Sequence, residues 1–294
     1  MRSPSVIKKI PPRIDCPTES ELRALIGPPS IDLNVAPVFR WKHVPERAFA
    51  ALLLIPALPV IAVAMLGIVI TSPGWPIFCQ LRVGRDCRYF RIYKLRTMRP
   101  NAEAATGPVF CNKGDARTTW LGKYLRKLHI DELPQLINVV KGEMSMVGPR
   151  PERPEFIAVL AKGIPFYANR LTVLPGITGL AAINLPPDTG LESAKRKQIL
   201  DEEYIESATW WLDIRMIACT ALRLVGLSGE KTVAITGVGR TVPGASEQVE
   251  SPTSVLDVAA QVDETSAVVV APKETQSQLE HKETRRERKQ HARR

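Results

Sequence analysis

Asp131 and Glu132 stand side by side in the stretch KLHIDELPQLINVV, residues 127–140. Two adjacent carboxylates can cap a helix, hold a divalent cation or attack an electrophile. Leu133, Leu136, Ile137 and Val140 follow at the i, i+3, i+4, i+7 spacing of a helix face, and Pro134 is tolerated only in a first helical turn, so the local pattern reads Asp131 as an N-cap. The surrounding residues suggest more. Arg150 lies in MSMVGPRPERPEF, a loop whose glycine and prolines fix one guanidinium in place, and upstream stand Lys94 and Arg96 in YKLRTM, Arg117 in DARTT, and Arg126 with Lys127 in LRKLHIDE. Guanidinium and ammonium groups gathered at a helix start make an anion site, above all for phosphate. His129 and His43 carry no comparable company, and a single histidine in an apolar stretch is usually not a ligand.

Helices are expected over about 116–128, 131–141, 152–162, 191–206 and 208–226, with loops at the Gly and Pro clusters between them. PIFCQLRVG and YFRIYKLRTM mix apolar and basic residues around a turn at Gly84–Cys87 and read as strands or short helices near headgroups. TESELRALI carries Thr18 and, three residues on, Glu21, a capping-box pattern. Ala48–Ile70 is 23 residues without a polar side chain, enough for a helix to cross a bilayer core of roughly 30 Å. Pro56 and Pro59 predict a bend in it. Arg40, Lys42 and Arg47 precede it and Arg82, Arg85, Arg88, Arg91, Lys94, Arg96 and Arg99 follow, so both ends prefer the cytoplasmic side. A helix that enters and returns and an ordinary kinked span both fit. ATWWLDIRMIACTALRLV, led by Trp210 and Trp211, reads as a helix on a membrane surface or as a buried core helix.

A chain of 294 residues with 45% hydrophobic residues can build a sizeable core, which excludes disorder throughout. Its net charge of +10 points to an anionic partner, either lipid, phosphorylated substrate or nucleic acid. Cys16, Cys79, Cys87, Cys111 and Cys219 are odd in number and lack a C-x-x-C pair, so neither a disulfide framework nor a zinc site is indicated. The last 22 residues hold eight Lys and Arg against four Glu, a solvated tail with a general attraction for anionic lipid.

YFRIYKLRTM, LRKLHIDELPQLINVVKGEMSMVGPRP, LPGITGL and YIESATWWLDIRMI, in order between about Val44 and Val225, resemble the bacterial sugar transferase family, the monotopic polyprenyl-phosphate phosphoglycosyl transferases in their short, catalytic-core form. The resemblance implies a mainly α, membrane-associated fold, with an N-terminal re-entrant helix bent at a proline, Pro59 matching better than Pro56. A small helical catalytic core with short strands and interfacial amphipathic helices would follow. The expected organisation is a loosely ordered extension over 1–40, the membrane helix over 41–75, the catalytic domain over 76–228 and a disordered, basic-ended tail over 229–294. The implied reaction moves a sugar phosphate from a nucleotide diphosphate sugar, typically a UDP-sugar, to polyprenyl (undecaprenyl) phosphate. It releases UMP and starts assembly of a surface polysaccharide, exopolysaccharide, lipopolysaccharide or other glycan. By resemblance Asp131 is the nucleophile, forming a covalent phosphosugar aspartate, and Glu132 matches the ligand of Mg²⁺. Being ionised at neutral pH at an ordinary carboxylate pKa, Asp131 would need no separate base. Lys94, Arg96, Arg126 and Arg150 are the candidates for phosphate and nucleotide contacts, with Arg117 and Lys127 divided between that role and a structural one. Asp201 and Asp213 match acidic positions where pairing with a basic residue is expected. The implied location is the cytoplasmic face of a bacterial inner membrane, with anionic lipid as a partner and nucleic acid not expected.

After Gly179 the family commonly has an aromatic residue, a Gln and a later Gly-Arg pair, whereas this chain reads LAAINLPPDTGLESAKRK with Ala182 at the Gln position. The departure bears on donor identity more than on reaction type; Lys195 or Arg196 could supply a substitute cation. A non-catalytic basic scaffold or an inactive partner of another transferase is the competing reading, and it leaves Asp131, Glu132 and the Gly-Pro-Arg-Pro loop unexplained.

Overall fold

The computed structural model describes residues 16–100, 102, 115–186, 190–242 and 259. The basic tail, Cys111 and part of the divergent loop at 187–189 lie outside the described residues. The fold is mainly helical with two small sheets. Helix α1 (Glu19–Ile26) carries the expected capping box: Thr18 accepts from the Glu21 amide and Glu21 accepts from the Thr18 amide. Its Leu22 is fully buried among Phe156, Ile157 and Leu160 of a later helix, so this part of the lead-in, expected to be loosely ordered, is packed. Farther on, the Ala36 amide donates to the Ile205 carbonyl at 2.9 Å.

Helix α2 (His43–Thr71) contains the apolar segment and continues through Pro56 and Pro59 without interruption. At 29 residues it is about 43 Å long, long and apolar enough to cross a membrane. Its buried positions Ala50, Ala57, Ile61 and Ile68 recur at steps of seven and four, one face of a helix, and that face rests on the domain. Leu52, Ile55, Val63, Leu66 and Ile70 on the other side are exposed. Membrane association follows from this apolar surface, which water would not tolerate.

Strands β1 (Ile77–Val83) and β2 (Tyr89–Leu95) form an antiparallel hairpin, with Asp86 and Cys87 at positive φ in its turn. Arg96, next after β2, turns back on α2. Its guanidinium donates to the carbonyls of Ser72 (2.6 Å), Pro73 (2.7 Å) and Gly74 (3.3 Å), just past the end of the apolar helix. Helix α3 (Trp120–Lys127) starts at Thr119, whose hydroxyl accepts from the Gly122 amide at 3.0 Å. A Cβ at Gly122 would lie 2.1 Å from the Thr97 carbonyl, so only glycine lets α3 come this close to the end of the hairpin.

A 3-10 turn over Ile130–Gln135 leads into α4 (Leu136–Lys141), then β3 (Ser145–Val147), α5 (Pro154–Gly163), and β4 (Gly176–Thr178), which pairs parallel with β3. Then come α6 (Leu180–Asn184), α7 (Leu191–Ser207), α8 (Trp210–Leu224) and α9 (Gly229–Thr236). The expected helices appear in these places, with starts shifted by a few residues. On α8 the residues Leu212, Asp213, Met216 and Cys219 are buried while Trp210, Trp211 and Ile214 are exposed, so the helix serves the core on one side and presents aromatics on the other. Beyond Gly229, where a disordered tail is expected, α9 packs on α8, and Thr232, Val238 and Val242 are buried.

One buried charge joins these parts. Lys42, expected as one of the basic residues flanking the apolar segment on its cytoplasmic side, is only 2% exposed. Its ammonium donates to Asp213 (2.7 Å), the Tyr204 hydroxyl (2.7 Å) and the Val147 carbonyl (2.9 Å), and lies 3.4 Å from Glu46. Tyr204 in turn donates to Asp213 at 2.7 Å. The correction has a simple cause, since a lysine flanked in space by two carboxylates gains more from them than from lipid phosphates. Removing one member of such a group strands the others without a partner. Lys42→Met is expected to lose about 3–5 kcal/mol of stability, read as unfolding in detergent, and adding Asp213→Leu should recover part of the loss; a single variant as stable as wild type would contradict this role.

Candidate functional site

The loop after β3 is held from every side. The Gly148 amide donates to Thr178, the Gly176 amide to the Pro149 carbonyl, Arg170 to the Arg150 carbonyl and the Val83 amide to the Glu152 carbonyl, all at 2.9–3.0 Å. Arg82 donates to the Pro151 carbonyl at 3.0 Å. A Cβ on Gly176 would meet the Gly148 nitrogen at 2.1 Å, and one on Gly179 the Gly148 carbonyl oxygen at 2.2 Å, so three glycines permit backbone contact where any side chain would force the strands apart. Arg170 is itself buried and paired with Asp201 at 3.0 Å. The result is a rigid platform for the Arg150 side chain.

From this platform Arg150 Nη2 reaches Glu132 Oε1 at 2.7 Å, and Lys94 Nζ, projecting from β2, meets the same oxygen at 2.8 Å. Glu132 Oε2 accepts no hydrogen bond from the described residues. The two cations outweigh the effect of burial and hold the Glu132 carboxyl well below the usual range. Its neighbour behaves oppositely. Asp131 is 7% exposed and makes no side-chain hydrogen bond among the described residues. Burial first, and the Glu132 charge second, push its pKa up to about 6, opposed by Lys94, Arg126 and Arg150. At neutral pH it remains mainly ionised, but as a more basic carboxylate than the ordinary value expected from sequence.

The expected N-cap role of Asp131 is not what forms. His129, in the left-handed region at φ 52°, precedes the 3-10 turn, Asp131 is the second residue of that turn, and α4 starts only at Leu136. Pro134 bears on the difference: it stands three residues after Asp131, where a capping side chain would accept from a backbone amide, and it has none; the segment tightens into a turn closed by the Glu132 amide on the His129 carbonyl at 3.1 Å. The carboxylate is thereby left unused by the backbone. Burial lowers the His129 pKa.

Of the six basic candidates, three gather here, and Lys127 is exposed at the end of α3. Lys94 and Arg150 touch Glu132, and Arg126, whose Nε donates to Thr97 Oγ1 at 2.8 Å, contributes its charge to Asp131. Arg96 is committed to the carbonyls just past α2, and Arg117 Nε bonds Asp115 at 2.9 and 3.0 Å, which favours a structural role for both. Asp201 and Asp213 take the structural pairings with Arg170 and Lys42. Lys195 pairs with Glu192 at 2.6 Å. Arg170 and Tyr204, essential to the platform and to the Lys42 node, were not singled out by sequence; their only signal was a polar residue inside an otherwise apolar pattern.

Among the described residues no three or more His, Cys, Asp and Glu side chains gather as a metal cage. Glu132 Oε2 with the adjacent Asp131 nevertheless fits Mg²⁺, an ion that binds through one or two carboxylates and takes its remaining oxygens from phosphates and water.

The chain matches the family model described as bacterial sugar transferase over residues 38–226. It is 38% identical over 207 residues to the undecaprenyl-phosphate glucose phosphotransferase of Komagataeibacter xylinus, covering 67% of this chain and 39% of that protein. It is 39% identical over 183 residues to the UDP-N-acetylgalactosamine-undecaprenyl-phosphate N-acetylgalactosaminephosphotransferase of Aeromonas hydrophila, covering 62% and 43%. It is also 38% identical over 188 residues to the UDP-glucose:undecaprenyl-phosphate glucose-1-phosphate transferase of Caulobacter vibrioides, covering 63% of this chain and 69% of that one. The first two relatives are thus more than twice as long as the part this chain spans.

An acid whose folded pKa lies above its unfolded value costs stability above that folded pKa, and the cost fades as pH falls toward the unfolded value. In chelator-containing buffer at pH 7.5, Asp131→Asn should therefore unfold a few degrees above wild type, on the order of 2 kcal/mol, and the gap should shrink toward pH 5. A gap that widens on acidification would overturn this account of Asp131.

Proposed function

The chain belongs to the bacterial sugar transferase family, and on that premise we propose that it transfers a sugar phosphate from a UDP-sugar to undecaprenyl phosphate through a covalent aspartate intermediate, starting assembly of a surface glycan. The observation that carries this reading is the division between two adjacent carboxylates. Glu132 is bound by two cations and held ionised, while Asp131 is buried, unbonded and raised to about 6. A carboxylate without hydrogen bonds is a stronger nucleophile than one that shares its lone pairs, and burial in a site lined by cations aims it at a phosphate.

In the first step an Asp131 oxygen attacks the sugar-linked phosphorus, and the bond from that phosphorus to the bridging oxygen breaks. UMP leaves with the electron pair. In the second step an oxygen of undecaprenyl phosphate attacks the same phosphorus, the aspartyl bond breaks, and undecaprenyl diphosphate sugar forms with Asp131 regenerated. Lys94, Arg126 and Arg150 neutralise the charge that builds when an anion approaches a diphosphate, and the clamped backbone of Arg150 means that little reorganisation accompanies it. Glu132 would hold Mg²⁺ with Asp131 beside it, and the ion when bound supplies further positive charge to the diphosphate oxygens. The divergent loop after Gly179 bears on which sugar is accepted.

The membrane helix is proposed to be re-entrant, with the catalytic domain on the cytoplasmic face. Supporting this, both ends of α2 are tied to the same domain: the first turn through Lys42 and through Arg47 Nε on the Val140 carbonyl at 2.9 Å, and the last through Arg96. A helix that crossed the bilayer would carry one end away from those partners. The exposed Trp41, Trp75, Trp120, Trp210 and Trp211 suit the headgroup level.

Incubated with a UDP-sugar, the wild-type protein is expected to gain the mass of one phosphosugar and Asp131→Asn none, with UMP release reduced at least ~10³-fold. Full UMP release by Asp131→Asn would exclude the mechanism. In oriented vesicles, cysteines introduced as Arg40→Cys and Trp75→Cys should react with an impermeant reagent from the same side; labelling from opposite sides would exclude the re-entrant arrangement.

A further inference from the structure

One face of α8 leads from the Lys42 node toward α6 and α9. Asp213, Met216, Thr220 and Arg223 recur at steps of three or four, the spacing of a single helix face. Asp213 binds Lys42, Met216 is fully buried, and Thr220 donates to Thr178 Oγ1 at 2.8 Å in β4, whose backbone holds Gly148. Arg223, one turn further, reaches past β4 to α6, where Nη2 donates to the Ile183 carbonyl at 2.9 Å. Its Nε donates to Thr232 Oγ1 at 3.2 Å on α9. Thr232 is fully buried, and its hydroxyl donates to the Gly229 carbonyl at 2.8 Å, which leaves its lone pairs directed at the arginine.

The guanidinium so fixed has no carboxylate within ion-pair distance among the described residues, and its Nη1 makes no hydrogen bond to them. Other arginines of the domain differ: Arg240 is paired with Glu203 and Arg170 with Asp201. Arg223 also lies close enough to His129 for its charge to act there together with those of Arg150 and Lys94. It therefore stands within electrostatic reach of His129, two residues before Asp131, half-buried, held by two hydrogen bonds and without a carboxylate partner among the described residues. Such a guanidinium is matched by the oxygens of a phosphate, which it can bind through a planar edge.

We propose that Arg223 is a substrate-contacting residue that binds a phosphate group through its Nη1 edge, and that α9 serves to hold it in position. The phosphate belongs either to the UDP-sugar or to the polyprenyl phosphate, and in naming those two the inference rests on the transferase reading above. The α9 contact lies beyond residue 226, where the family match ends, so the positioning device is a feature of this chain beyond the matched region.

The test uses the full chain in lipid nanodiscs. UDP binding is measured by calorimetry, and KM and kcat are measured for UDP-glucose or UDP-N-acetylgalactosamine, whichever releases UMP, and for undecaprenyl phosphate. Arg223→Gln is expected to raise the dissociation constant of UDP or the KM of one substrate by about tenfold, with kcat changed less than about threefold and an unaltered unfolding temperature. A rise confined to UDP and the donor assigns the contact to the diphosphate; one confined to undecaprenyl phosphate assigns it to the lipid. Thr232→Val, which keeps the charge but releases its orientation, should raise the same constant by a smaller factor. Unchanged constants in a folded Arg223→Gln overturn the proposal; if that variant does not fold, unchanged constants in Thr232→Val overturn it. Should wild type release no UMP, the transferase reading fails, while UDP binding by wild type and Arg223→Gln still decides whether Arg223 binds phosphate.

Discussion

The ammonium of Lys42 is the point on which the arrangement turns. It sits where the apolar helix begins and bonds β3 through Val147, α7 through Tyr204 and α8 through Asp213. Val147 is immediately followed by Gly148 and the loop that carries Arg150. The charge that attaches the apolar helix to the domain thus also sets the position of the strand that leads to Arg150. A buried ammonium is costly unless every donor is used, and that cost enforces one geometry: a small displacement of α8 or α2 would leave a carboxylate or the lysine unpaired in the core.

From that fixed strand the electrostatics of the acid pair follow. Arg150 and Lys94 converge on one oxygen of Glu132, and the adjacent Asp131 receives the burial without the hydrogen bonds. The division is a matter of backbone as much as of charge. Pro134 lacks an amide that a capping Asp131 would bind, and in the 3-10 turn that forms the Asp131 side chain is bonded to no amide of the described residues. Were Asp131 a cap, its lone pairs would be occupied by amides, and nothing would distinguish it chemically from many other helix starts.

Much of this was legible in the sequence, for reasons that differ from element to element. Periodicity revealed α4, α5, α7 and α8 because each buries one face, and the Thr18–Glu21 capping box was readable because its partners are three residues apart. The gathering of Lys94, Arg126 and Arg150 was legible as a concentration of cations near a Gly-Pro loop. The roles of Lys42, Arg96 and Arg170 were not, because their partners lie 171, 22–24 and 20–31 positions away, and a basic residue beside an apolar run looks the same whether it meets lipid or a buried aspartate. The N-cap expectation failed on a local point, the missing amide of Pro134, which pattern matching counted as permissive rather than decisive. The extent of the domain past Gly229 was obscured because the residues there are small and polar, although Thr232 and Val238 are buried.

Arg96 has a consequence for the lipid environment. The last carbonyls of a helix have no partner within it, and in a hydrocarbon medium they must find one or extend to the interface. The Thr71 hydroxyl and the Ser72 amide return to the Gly67 and Ile68 carbonyls of α2, and Arg96 supplies donors to the carbonyls of Ser72, Pro73 and Gly74 just beyond it, so the backbone leaving the helix is bonded by its own protein. A spanning helix is matched in length to its bilayer and responds to a thicker one by tilting or deforming it. Here both ends of the helix also bond one domain, Lys42 and Arg47 at its start and Arg96 just past its end, so its position is set by that domain as well as by the thickness of the surrounding lipid.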